Sequence, residues 1–390
     1  MTALRTNLFV VALTLSLLGN VMVYSATSKE YGTHYLVVRF AHLAVGVLSF
    51  LLVKQVRYTS WRKIAPGFYL LVLASLLLVL IPGIGIEVRG ARRWLDVGPA
   101  SLQPAEFAKL AAVLLLSCAV ARIRSDSGLP VRPVLAVSLL FGLVLVEPDF
   151  GTSVVIAAAA AGVLWASELR TRVLLLFGTA ASASLVGMML LAPYRRNRFL
   201  AFLDPWSVSE GSGYQIVQSM VAIKAGSFFG AGVGAGGGDV TVPEVQTDMI
   251  FALIGEEFGL LGMVTVIGAF AFLTLAGLKI ALNAPSVMGR CLAAGLATMF
   301  AVQTIFNIGA AMGTVPLAGM TLPFVSYGGS SVFVCFAAIG ILYRVSEDGE
   351  KAREAKPRKV STRGGARPDA RFDRRWRNGR TRDPRALRGG

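Results

Sequence analysis

IFALIGEEFGLLGMVTVIGAFAFLTLAG, residues 250–277, decides the architecture. The run carries only two charged side chains, Glu256 and Glu257, and it exceeds the roughly 20 apolar residues needed to cross a hydrocarbon core. Working outward, further apolar segments lie near 7–26, 36–53, 67–84, 102–121, 132–147, 151–167, 172–192, 289–310 and 325–343. The 390-residue chain is 55% hydrophobic, with a mean hydropathy of +0.65 and 15% charged residues. Soluble domains average about 25% charged residues, so this chain needs lipid as its solvent. The expectation is an all-α membrane protein, a polytopic bundle of about ten transmembrane helices. The first run, from Leu8 to about Ser25, is longer than a signal-peptide core and shows no convincing cleavage site, so it reads as a retained span.

Lys and Arg in the short loops set the orientation. Lys54, Arg57, Arg62 and Lys63, then Arg122, Arg124 and Arg132, then Arg170 and Arg172, then Lys279 and Arg290 fall in alternate loops. With the N-terminus inside, all of them are cytoplasmic, and ten spans return the C-terminus to the same side. The expected location is a bacterial cytoplasmic membrane, multi-pass, with both termini in the cytoplasm. The expected units are a transmembrane domain, 1–345, containing a large extracytoplasmic loop, 193–249, between spans seven and eight, and a basic tail, 346–390. From Arg344 to the end there are 16 Lys/Arg against 7 Asp/Glu, a net +9. Such a tail, poor in apolar residues, is expected to be disordered and to meet anionic membrane lipid rather than nucleic acid. Within the long loop, Ile216, Val217, Met220 and Val221 share one helical face, which predicts a short amphipathic or re-entrant helix over 214–229.

Two external stretches run against the charge bias. Segment 85–101 holds Arg89, Arg92 and Arg93, and segment 193–249 opens with Arg195, Arg196 and Arg198. An anionic ligand or lipid phosphates would each account for them. Glu106 and Lys109, three apart near the outer end of span four, share a helix face, and charges at that depth face a cavity or each other. Lys109 contacting a phosphate and a structural ion pair are both open. Gln303 and Asn307 read as interhelical hydrogen-bond partners, and Glu256 and Glu257 as structural or proton-linked. SYGGSS, 326–331, opens the last span either as an anion-binding helix start, with Ser326 and Ser330, or as a tight turn. Thr247 or Asp248 before an apolar run reads first as a helix N-cap. Cys118, Cys291 and Cys335 lie unpaired in apolar runs, and His34 and His42 have no ligand-spaced neighbours, so no metal site is expected.

Seven segments together resemble one family. RGARRWLDVG (89–98), SLQPAEFAKL (101–110), EPDFGT (147–152), FLDPW (202–206), GYQIVQS (213–219), PEVQTDMIFALIGEEFGLLG (243–262) and LPFVSYGGSS (322–331) occur in the order of the SEDS cell-wall polymerases, over almost all of 1–345. GMTLPFVSYGGSS is closer to the division branch, FtsW, than to the elongation branch, RodA. The resemblance implies an extracytoplasmic peptidoglycan glycosyltransferase that polymerises lipid II beside a class B penicillin-binding transpeptidase, in cell division or cell-shape wall synthesis. Asp248 occupies the position of the family's essential aspartate and is the expected catalytic base. Arg92, Arg93, Glu106, Lys109, Ser326 and Ser330 are the expected substrate-binding residues.

Such a reaction needs a base for the acceptor hydroxyl, cations for the departing pyrophosphate and an apolar groove for the lipids. Which cofactor it uses is open; a divalent cation such as magnesium, held by one carboxylate and substrate phosphates, would leave little trace in a sequence. The chain departs from the family at Gln246 (usually His), Met249 (usually Phe) and Glu147 (usually Gln). A lipid-linked sugar flippase or a non-catalytic scaffold for a transpeptidase are the alternatives.

Overall fold

The computed structural model describes residues 1–88, 90–98, 101–122, 130–167, 169, 171–191, 193–211, 213–234, 242–243 and 245–355. Arg89, Arg124, Arg170, part of the glycine-rich run 230–238, and the tail from 356 onward lie outside the described residues.

Each of the ten apolar segments contains a helix. They are α1 (Thr2–Tyr31), α2 (His34–Val53), α3 (Trp61–Leu80), α4 (Pro104–Val120), α5 (Val131–Val146), α6 (Phe150–Ala166), α7 (Thr171–Leu191), α10 (Ile250–Leu282), α11 (Val287–Ala311) and α12 (Gly329–Glu354). Six of these, α1, α2, α3 with its leading turn, α10, α11 and α12, are long and apolar enough to cross a membrane. Leu70 and Leu71 on α3 are 61% and 67% exposed. Rows of bare leucine of this kind are what a lipid-facing helix presents and a soluble one avoids.

α11 lies at the centre, packed on α10, α6 and α4. Its buried face is built from small residues, Ala293, Ala294, Gly295 and Ala297, which let helix backbones approach where no hydrophobic effect drives them together. α3 begins six residues before the apolar pattern suggested and carries Pro66. A proline leaves the carbonyl four residues earlier without its helical donor. Here that carbonyl, Arg62 O, accepts from the Arg122 guanidinium at 3.4 Å.

Three expectations need correction. The chain is not purely helical: 85–102 forms a three-stranded antiparallel sheet, β1 (Gly85–Val88), β2 (Ala91–Asp96) and β3 (Ser101–Leu102). Ile86 pairs Trp94 and Val88 pairs Ala91 across the hairpin, an alternation too short to stand out beside long apolar runs. The stretch after span seven holds, besides the expected helix, α9 (Tyr214–Gly226), a second one that was not expected, α8 (Pro193–Leu203). α9 buries Ile216 and Val217 as its spacing predicted. Finally, residues 346–354 are not disordered but continue α12, where Arg344 bonds Glu347 and Asp348 and Lys351 bonds Glu347 at three- and four-residue spacing.

α10 is broken at Gly259, whose φ of 63° and ψ of −159° lie outside the helical region. Residues 227–232 enter the break. Ala231 and Gly232 donate to the carbonyls of Glu256 and Glu257, and Leu260 and Leu261 donate to those of Ser227 and Phe228. Gly230, with φ 83°, passes so close that an added Cβ would lie 2.1 Å from Glu257 O. Glu257, 1% exposed, accepts from Ser25 of α1 and from Gly234 N. GEEFG therefore ties α1, α9 and α10 together, which is the structural reading of the glutamate pair.

One end of the molecule gathers the segments expected in the cytoplasm. Arg5 and the terminal ammonium pair with Glu350, Arg353 bonds Asn283, and the Tyr58 hydroxyl meets Ser286.

Candidate active site

Asp248 stands in a turn directly before α10, half-buried. It is not the helix cap: that position is Met249, with no side-chain capping bond. Instead, three successive carbonyls are held from outside the turn. Gln246 O accepts from Tyr327 N at 2.8 Å, Thr247 O from Ser326 Oγ at 2.6 Å, and Asp248 O from Asn307 Nδ2 at 2.9 Å. Donors on two other segments thus fix the peptide that carries the carboxylate. The 312–328 connection runs past it, close enough that a Cβ added to Gly319 would sit 3.6 Å from Asp248 Oδ2.

That connection is itself pinned. Asn307 Nδ2 also donates to Met320 O at 2.6 Å, and Gln303 Nε2 donates to Thr321 O at 2.9 Å. Ser326 Oγ accepts from Leu322 N at 2.7 Å. Asn307 therefore bonds loop carbonyls rather than a neighbouring helix, whereas Gln303 bonds a loop carbonyl and also, as expected of an interhelical partner, Lys109 of α4. Arg39 of α2, fully buried, donates to the carbonyls of Phe324 and Val325. The sequence reading passed over Arg39, although a lone cation inside an apolar run is a signal in its own right.

Lys109 and Glu106 pair at 2.8 Å, and Lys109 Nζ donates to Gln303 Oε1 at 2.9 Å. Both are nearly buried, at 2% and 4% exposure. Through Gln303 the pair reaches the same connection that borders Asp248. Ser330 Oγ accepts from Gln103 N at 2.9 Å, joining the start of α12 to the start of α4. Gln103 Nε2 in turn reaches Asp149, whose carboxylate caps α6 through Thr152 N and Oγ1.

The two arginines part company on β2. Arg93 donates to the carbonyls of Glu147 and Pro148, at 3.1 and 2.6 Å, fastening the sheet to the α5–α6 turn. Arg92 pairs with Glu87 at 2.8 Å on the surface. Asp248, Ser326 and, by way of Gln303, Glu106 and Lys109 thus share one hydrogen-bonded neighbourhood, whereas Arg92 and Arg93 are placed by other contacts. Among the described residues no group of three or more His, Cys, Asp or Glu side chains is arranged to hold a metal.

The comparisons match this arrangement over nearly the whole chain. The profile of the FtsW/RodA/SpoVE family, described as "Cell cycle protein", covers residues 5–351. The chain belongs to the FtsW/RodA/SpoVE family. A probable peptidoglycan glycosyltransferase FtsW of Trichlorobacter lovleyi is 38% identical over 87% of this chain and 91% of its own length. Stage V sporulation protein E of Bacillus subtilis is 35% identical over 89% and 99%. Among solved structures, RodA of Thermus thermophilus superposes with a TM-score of 0.66 at 27% identity, covering 87% of this chain and 96% of its own. A chain from a structure of a peptidoglycan synthase complex that coordinates polymerization and crosslinking gives a TM-score of 0.74 at 29% identity, covering 88% and 97%. This FtsW/RodA/SpoVE member is accordingly a multi-pass membrane protein.

Proposed function

We propose that this chain is a peptidoglycan glycosyltransferase that polymerises lipid II at the outer face of the cytoplasmic membrane, with Asp248 as general base. The observation that supports it most is the triple anchoring of Gln246, Thr247 and Asp248 by Tyr327, Ser326 and Asn307. A base must be held in place before its substrate arrives, and fixing its peptide from other segments does that. Asp248 takes the proton of the acceptor sugar hydroxyl. The oxygen attacks the donor's anomeric carbon, and the bond to undecaprenyl pyrophosphate breaks. In this reading Arg92, whose partner Glu87 is exposed and exchangeable, takes the leaving pyrophosphate, and Arg93 holds the sheet that carries it. Glu106 and Lys109 order the 312–328 connection, and Ser326 and Ser330 fix its junction with α12. A divalent cation, where one takes part, would be held by Asp248 and mainly by substrate phosphates.

The reading includes ten spans, both termini in the cytoplasm, 193–249 as the extracytoplasmic segment, 1–345 as the catalytic domain and 346–390 as a cytoplasmic extension. It also includes a class B penicillin-binding transpeptidase as partner, since one structural relative comes from a synthase complex. The deciding experiment supplies purified protein, with and without that partner, with labelled lipid II and scores glycan strands on a gel. Asp248→Asn, melting at the parent's temperature, should make none; strands from that variant at the parent's rate would refute the assignment.

A further inference from the structure

Arg39 is a buried charge with little to stabilise it. It sits on α2, fully enclosed, and its hydrogen-bond partners are two main-chain carbonyls, Phe324 O and, at 3.2 Å, Val325 O. One nitrogen, Nη2, makes both bonds; Nε and Nη1 are buried with no partner among the described residues. Enclosing a cation with donors left over opposes folding, and an apolar side chain of similar volume would fill the space with less strain on the fold. An ionisable side chain kept at such a position points to function.

The carbonyls it holds belong to a backbone that needs holding. Phe324 has φ 65°, in the left-handed region that a bulky residue rarely adopts. Such a conformation persists where its surroundings over-determine it, and here four helices contribute. The Phe324 ring packs on Phe300 of α11 and Phe336 of α12, with centroids 5.5 and 5.4 Å apart. Gly19 of α1 lies against the next peptide, where a Cβ would collide with Val325 O. Arg39 of α2 takes the two carbonyls. Directly after them come Ser326 and Tyr327, the donors to Thr247 O and Gln246 O. α2 reaches Tyr327 as well. Tyr35 and His42, four and three residues from Arg39 on the same helix face, set their rings 5.1 and 5.5 Å from that of Tyr327. One face of α2 thus backs the segment 324–327, which in turn grips the peptides that lead into Asp248.

We propose that Arg39 is a positioning residue for Asp248: it locks the left-handed peptide at Phe324, and through Ser326 and Tyr327 that peptide sets where the base stands. The catalytic half of this inference rests on Asp248 as general base; the structural half does not. Fully buried, Arg39 acts on the carboxylate through the backbone and takes no part in the proton transfer.

The test follows two readouts on the full-length chain. Hydrogen–deuterium exchange reports the lock without any chemistry, and polymerisation of labelled lipid II gives kcat and KM. In Arg39→Met, exchange at 322–327 should quicken about tenfold, the worth of one lost hydrogen bond, while α11 exchanges as in the parent. Its kcat should fall about 10–100-fold at constant KM, as misplacement from a distance does. Arg39→Lys offers one ammonium to both carbonyls and should keep kcat within about threefold of the parent. Arg39→Met/Ser326→Ala should be no slower than the slower single variant, since both act on the same peptide. Where Arg39→Met does not fold, Arg39→Gln, with one neutral amide for two carbonyls, carries the same expectations. Unchanged exchange at 322–327 would overturn the proposal whatever the activity. So would a multiplicative loss in the double variant, a raised KM at constant kcat, or Arg39→Lys as slow as Arg39→Met. Asp248→Asn polymerising normally beside quickened exchange in Arg39→Met would sink the base and keep the lock; the opposite pair of results would sink the lock and keep the base.

Discussion

The side-chain amide of Asn307 bonds the backbone carbonyl of Asp248 at 2.9 Å and that of Met320 at 2.6 Å. One nitrogen on the central helix thus joins the turn that carries the proposed base to the connection running beside it. Asn307→Ala strands both carbonyls. It should cost about 1–3 kcal/mol and slow strand formation more than it weakens lipid II binding. Melting curves and a kcat-against-KM comparison check this.

Lys109 and Glu106 offer a sharper case. Removing one partner of a buried ion pair costs about 3–5 kcal/mol, whereas replacing both with neutral residues is often close to neutral. Lys109→Met should therefore melt far below the parent, and Glu106→Gln/Lys109→Met should recover most of the loss. If the pair only orders the connection, activity returns with stability in the double variant. If Lys109 touches phosphate, stability returns alone.

Arg92 and Arg93 should behave as opposites. An exposed pair such as Arg92–Glu87 contributes about 0–1 kcal/mol, so Arg92→Gln should melt like the parent and lose polymerisation. Arg93→Gln releases the carbonyls of Glu147 and Pro148 and should lower the melting temperature first. Parallel melting and activity measurements on the two variants check the contrast.

Glu147 lies in the turn between α5 and α6, 1% exposed, and neither carboxyl oxygen has a hydrogen-bond partner. Burial, reinforced by the charge of Asp149 and opposed by Arg93, pushes its carboxyl up from 4.5 to about 9. Between those values the unfolded chain binds fewer protons than the folded one. This group therefore lowers stability as pH rises, by at most about 1.4 kcal/mol per unit. Glu147→Gln removes the titration. It should leave stability unchanged near pH 4 and raise the melting temperature at pH 8. An equal melting temperature for parent and variant across pH 5–9 would contradict the protonated state.

How much of this was legible beforehand follows from the physics of each signal. Long apolar runs announce helices because lipid leaves the backbone no other partner than itself, and each of the ten runs holds one. The sheet at 85–102 was missed because four- and six-residue strands give two or three alternations at most. Asp248, Glu106 and Lys109 stood out as charges beside apolar runs. What holds them did not, because Asn307 lies 59 residues from Asp248, Gln303 lies 194 from Lys109, and Tyr327 lies 81 from Gln246. Arg39 was overlooked because its partners are main-chain carbonyls, which any sequence supplies.

The interruption of α10 has a consequence for engineering. The four peptide groups that Glu256, Glu257, Leu260 and Leu261 surrender at the break are taken up by residues 227–232, so the two stretches form a single unit of exchange. A chimaera that imports 250–282 from a cousin while keeping the native 213–234 inherits half of a joint and must either straighten its helix or leave amides dry in fatty surroundings. Grafts that move both halves together should insert and fold.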